Sequence, residues 1–199
     1  LKGLTIKGDL IVKGNVQGEV KVDSTAIEGK VVTEEVDQTA FYSRKTVAAT
    51  NFVPMATMNM TRLTITFNDS TVAVVEIKSS DSSVNFSGAT VVSLIEVKSN
   101  GSIIADADVI LPSVKISEGV ANVVLNASIA NVSIESTRPV TLSGKGNFDK
   151  VDVKTDQAVT INTEGTINTL TATSTSSAAT ANVTLGTVAK VAKTEDAEG

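Results

Sequence analysis

One spacing governs what this chain can fold into. The pattern apolar-x-x-apolar-x-apolar recurs with its last residue at Ile77, Val97, Ile116, Ile134, Val153 and Ala172, in steps of 20, 19, 18, 19 and 19 residues. Two residues before these anchors stand Val75, Ile95, Val114, Val132, Val151 and Leu170, and five before stand Val72, Val92, Leu111, Ile129, Phe148 and Ile167. All 18 positions are apolar in a chain that is 41% apolar overall, so the frame is a repeat rather than chance. A fixed period of this length marks an architecture of stacked units.

The spacing inside each unit says what is stacked. The last two apolar positions alternate with polar ones, as in Val75-Glu76-Ile77-Lys78 and Val151-Asp152-Val153-Lys154, which is a strand with one buried face. The offset of three before them requires a bend, where consecutive residues change face. A second alternating pair follows in most units: Val84-Asn85-Phe86, Val123-Val124-Leu125, Val140-Thr141-Leu142, Val159-Thr160-Ile161 and Val183-Thr184-Leu185. Glycines near the expected corners, Gly88, Gly144, Gly165 and Gly186, suit tight turns. Two or three short strands per unit cannot bury one face alone, but coil on coil they can.

The fold expected is therefore all-β: a single-stranded parallel β-solenoid, a right-handed β-helix, of about 19 residues per coil. Coils about 4.8 Å apart make residues 62–192 a rod of roughly seven coils and about 34 Å. Val, Ile and Thr dominate over helix formers, which excludes an α/β fold. A β-sandwich also uses short strands, but its strands vary in spacing and pair mainly antiparallel.

Residues 1–32 read as the first coils of the same rod. There Leu4-Thr5-Ile6-Lys7-Gly8 and Leu10-Ile11-Val12-Lys13-Gly14 repeat a strand-glycine unit after six residues. Residues 33–61 lack the pattern and hold the single Tyr and all three Met, so they read as an irregular excursion packed on the rod or as a degenerate coil. Residues 193–199 read as an acidic tail or linker, and Lys193, near the third position of the last coil, would blunt its open edge. The chain begins at Leu1 without a charged segment leading into an apolar one, and reads as a piece of a longer protein.

Composition narrows the chemistry. With no His and no Cys, Ser-His-Asp and Cys-His catalysis, ordinary zinc sites and disulfides are excluded. A net charge of −5 with dispersed Lys and Arg gives no footprint for nucleic acid. No apolar run approaches the roughly 20 residues of a membrane span. No cofactor and no metal are expected.

The run Gly8-Asp9-Leu10-Ile11-Val12 resembles the β-helical regions that accompany S-layer homology modules in Gram-positive surface proteins. So do Val140-Thr141-Leu142-Ser143-Gly144 with Asn147-Phe148-Asp149-Lys150-Val151-Asp152-Val153, and Ala158-Val159-Thr160-Ile161-Asn162 with Gly165-Thr166-Ile167-Asn168-Thr169-Leu170. The likeness covers residues 4–32 and 62–192. It implies an extracellular location on the bacterial cell surface and a stalk or display role beside other domains of the same protein or cell-wall polymers. It supplies no catalytic residues, and the wall-binding modules themselves are not recognisable in the chain.

Four residues stand out as possible ligand contacts. Asp106 and Asp108 flank Ala107 at a strand end or corner, where paired carboxylates could hold Ca²⁺ or act as acid and base on a polysaccharide. The solenoid calcium repeat is absent, however, and calcium needs six to eight oxygens. Phe41 and Tyr42 are the one aromatic pair outside the repeat that could stack on a sugar, whereas Phe86 and Phe148 fall at inward positions. The outward positions Glu76/Lys78, Glu96/Lys98, Lys115/Ser117, Ser133/Glu135 and Asp152/Lys154 read as a soluble face of mixed sign. Thr141, Thr160 and Thr184 could stack in a column, and Asn85, Asn126, Asn131, Asn147, Asn162 and Asn168 could form amide ladders at corners. The reading is a non-catalytic structural and display module, not an enzyme. The alternative is a carbohydrate-binding or polysaccharide-degrading β-helix.

Overall fold

The computed structural model describes residues 1–13, 19–23, 26–27, 31–34, 40–44, 47–48, 52–54, 64–78, 81–172, 183–186, 188 and 190–196. Among them, every strand pairing is parallel, in one sheet of thirteen strands and one of nine. From Thr64 onward the chain alternates between the two sheets, and each strand short of the ends bonds to its equivalents one coil before and one coil after. This is a parallel β-solenoid, and its coils repeat at the spacing of the apolar anchors.

The apolar columns lie as the spacing requires. Val75, Ile95, Val114, Val132, Val151 and Leu170 are successive register partners in the thirteen-stranded sheet, and so are the six anchors from Ile77 to Ala172. All but Ala172 are buried. The bend is also present: in each strand two consecutive residues point away from the core, Ala73-Val74, Ser93-Leu94, Pro112-Ser113, Ala130-Asn131, Asp149-Lys150 and Asn168-Thr169. Pro112 lacks an amide hydrogen, and the ladder between its strand Ile110–Glu118 and the preceding Val91–Val97 begins only beyond it, at Ile95↔Val114.

The nine-stranded sheet closes the other side of the core. Phe67 and Phe86 stack there with ring centroids 5.5 Å apart, and Phe148 is buried on the opposite sheet. Its register departs from the simple alignment of second pairs. Val84 pairs with Ile103, but Ile103 takes the longer step to Leu125, and Val123 pairs with Leu142. A slip of two positions leaves every inward side chain inward, because strand alternation has period two.

In the N-terminal segment the partners stand slightly further apart than the anchors do: Thr5↔Ala26↔Val47, Leu10↔Val31↔Phe52 and Glu19↔Ala40. The short glycine unit therefore does not set the pairing. Within 33–61, Ala40–Arg44 pairs with strands on both sides, and Val47–Ala48 and Phe52–Pro54 both pair onto Thr71–Ile77. At the other end, Val191 stands opposite Ile167, Thr194 opposite Leu170 and Asp196 opposite Ala172. Asp196, not Lys193, thus holds the third register position of the last coil, and the step to it from Ala172 exceeds every step between the anchors.

Candidate functional site

The two sheets differ in what they show to solvent. On the thirteen-stranded sheet, the outward residues after the bend carry charge of both signs. Glu76 and Glu96 are register partners, and Lys98 reaches back a coil to lie 2.5 Å from Glu76, with Lys78 at 3.2 Å from Glu76 and Glu96 at 3.8 Å from Lys98. A second cluster joins Glu135 to Lys115 at 2.8 Å and Lys154 at 3.6 Å. Hydrogen bonding and attraction between Lys115 and Glu135 push the lysine up and the carboxyl below its ordinary range, with Ser133 donating to Glu135 at 3.0 Å. Each cluster ties neighbouring coils; the more exposed pairs around Glu135 contribute little each, whereas Glu76 is largely buried. This face balances its own charge.

The nine-stranded sheet is different. Its seven strands between residues 64 and 185 contain no Asp, Glu, Lys or Arg. Thr64, Ser83, Ser102, Val124, Ser143 and Asn162 form one outward column of register partners. Asn122, Thr141, Thr160 and Thr184 form another, which contains the expected threonine stack. A groove of about 460 Å³ lies on this face where the chain turns into the sheet at Asn100-Gly101, lined by Asp81, Ser83, Ser102, Ile104 and Val124 among others. Its corner is fixed by Asn100, whose Oδ1 accepts from the amides of Ala121 (2.9 Å) and Asn122 (3.0 Å) in the next coil.

Of the asparagines expected at corners, all but Asn162 bridge coils, and not as amide ladders. Asn126 Oδ1 accepts from the Lys145 amide at 3.0 Å, and Asn147 Oδ1 accepts from the Thr166 amide at 3.0 Å and its hydroxyl at 3.1 Å. Asn131 donates to the Pro112 carbonyl, Asn168 to Asp149 and Asn85 to Thr66. Each side chain serves a backbone group or a different side chain of the adjacent coil. The amide satisfies turn backbone that the strand ladders leave over.

Asp106 and Asp108 lie in the exposed turn after Gly101–Ala105, where the Asp106 amide donates to Phe86 and its carbonyl accepts from Val109, both at 3.0 Å. Neither lines the groove at Asn100-Gly101. Phe41 and Tyr42 lie in the strand Ala40–Arg44, opposite Ile65 and Thr66 in register, and their side chains fall outside the described residues. The fold thus assigns the two candidate pairs to separate places in the chain path. A search by residue type passes over the groove because no one of its residues is chemically unusual. The signal that finds it is the missing charge at the outward members of the second alternating pairs.

Among the described residues, no three His, Cys, Asp or Glu side chains gather where a metal could sit, and no helix is long and apolar enough to cross a membrane. No protein-family model, curated protein or solved structure matches the chain.

Proposed function

We propose that the chain is a non-catalytic structural and display module of a bacterial cell-surface protein of the S-layer-associated kind, set beside other domains of that protein or cell-wall polymers. The observation that carries this reading is the unbroken ladder from Thr71 to Ala172, in which each coil is bonded to the next through both sheets around one aliphatic core. Such a molecule bears load and holds distance because bending it means breaking several strand pairings and opening the core together. The sequence resemblance supports the location.

Protease shaving of intact cells carrying the full-length protein tests the location: peptides from 64–172 should be released without lysis. Their appearance only after lysis would refute a surface role. Removing one whole coil should shorten the distance between flanking domains by about 4.8 Å and leave the remainder folded. A reach unchanged by that excision would refute the spacer role.

A further inference from the structure

The chain is one-fifth charged, yet the seven short-sheet strands between 64 and 185 carry no charge at all. Strand propensity does not demand this, since the other sheet places Glu, Lys and Asp at equivalent outward positions. Among the described residues, the side chains of Ser102, Thr141, Thr160 and Asn162 make no hydrogen bond within the protein. Hydroxyls and amides of this kind both donate and accept. They stand in two columns, so a hydroxyl or amide recurs along the rod at coil spacings of about 4.8 Å, interrupted in one column by Val124.

We propose that this face binds an uncharged, hydroxyl-rich polysaccharide laid along the rod axis and seated in the groove at Asn100-Gly101. Ile104 and Val124 give the groove an apolar floor for the C–H face of a sugar, and Ser83, Ser102 and Asn122 offer donors and acceptors beside it. These seven strands hold no cation for a sulfated or uronate polymer, and the carboxylate of Asp81 at the rim repels one. A second copy of the chain fits less well. Seven strands about 4.8 Å apart and about 17 Å wide offer roughly 570 Å² per copy, below the ~800 Å² of a stable interface. Serine-rich surface is also depleted from interface cores. The binding does not depend on where the protein resides, so it stands or falls separately from the surface role.

The test is co-sedimentation of the full chain with insoluble cellulose, mannan and β-1,3-glucan, and with cross-linked polygalacturonate as the anionic control. Retention on at least one uncharged polymer is expected, unchanged by added salt because no ion pairs form. The double variant Ser102→Lys/Thr141→Lys should weaken it about tenfold or more, while Ser117→Lys/Ser133→Lys on the other sheet leaves it unchanged. Thermal melts of both variants keep a folding defect distinct from a binding defect, and Ser102→Ala/Thr141→Ala, which adds no bulk, should weaken binding as well. Retention on the polyanion alone, on none of the polymers, or equally by every variant overturns the proposal. So does a dimer abolished by the Ser102→Lys/Thr141→Lys change without polymer binding.

Discussion

Lys98 holds Glu76 across the gap between consecutive coils, with its ammonium 2.5 Å from a carboxylate whose side chain is only 11% exposed. Burial is the largest single influence on Glu76 and opposes its ionisation, but hydrogen bonds from Lys98 and Lys78 together with the attraction of their charges outweigh it and hold the carboxyl below its ordinary range. A folded-state pKa below the unfolded value of roughly 4.3 means stability that is complete above that pH and lost as pH falls through the lower folded value. Glu76→Gln should therefore cost about 1 kcal/mol at neutral pH, and the difference from the parent should shrink as acid protonates Glu76. Urea unfolding at neutral and acid pH measures this. A deficit that is the same at both would separate Glu76 from the ion pair.

Close packing at one corner gives a second expectation. A side chain on Gly165 would run into the Gly146 carbonyl of the coil before, and one on Gly146 would lie 2.8 Å from the Ala127 carbonyl, so small residues recur where coils approach most closely. Gly165→Ala should destabilise by about 2 kcal/mol because rigid backbone must shift. Gly119→Ala meets only the Arg138 side chain, at 3.6 Å, and should be neutral or slightly stabilising. Melting temperatures of the two variants decide the matter, and equal losses would contradict the corner geometry.

How much of the fold is legible in the sequence follows from what hydropathy can register. The columns through Val75 and Ile77 are readable because each coil puts aliphatic residues at both inward positions after the bend. The slip that sets Val84 opposite Ile103, and Ile103 opposite Leu125, is not, since an alternating strand moved by two looks the same. In the last coil, Val188 and Val191 mimic the first two apolar positions, whereas the true register runs through Val191, Thr194 and Asp196. Polar occupants of a column are invisible to an apolar search. Likewise Asp106, Asp108, Phe41 and Tyr42 stand out by residue type, but the groove is assembled by the turn at Asn100 from ordinary Ser, Asn and Gly residues of adjacent coils.

Adjacent residues on opposite faces should respond oppositely to the same change. Val132 is buried between Val114 and Val151, while Ser133 beside it faces out between Lys115 and Asp152. Val132→Asp places a carboxylate without a partner in the core and should cost about 4 kcal/mol or more, enough to abolish cooperative unfolding. Ser133→Asp adds a charge among Lys115, Glu135 and Asp152 and should cost under about 1 kcal/mol. Chemical denaturation of the two proteins reads the contrast, and equal tolerance would reject the assignment of faces.

Stacking of coils in register is most directly tested by cross-linking, since the chain contains no cysteine of its own. Ser133 and Asp152 are outward register partners on adjacent coils, and Lys115 stands one further coil away from Asp152. Neighbouring strands about 4.8 Å apart are within reach of a disulfide, whereas two coils, about 9.6 Å, are not. Ser133→Cys/Asp152→Cys should close an intramolecular disulfide under mild oxidation with loss of both free thiols. Lys115→Cys/Asp152→Cys should keep both thiols free, and closure of that pair, or failure of the first in a folded protein, would contradict the stacked-coil structure.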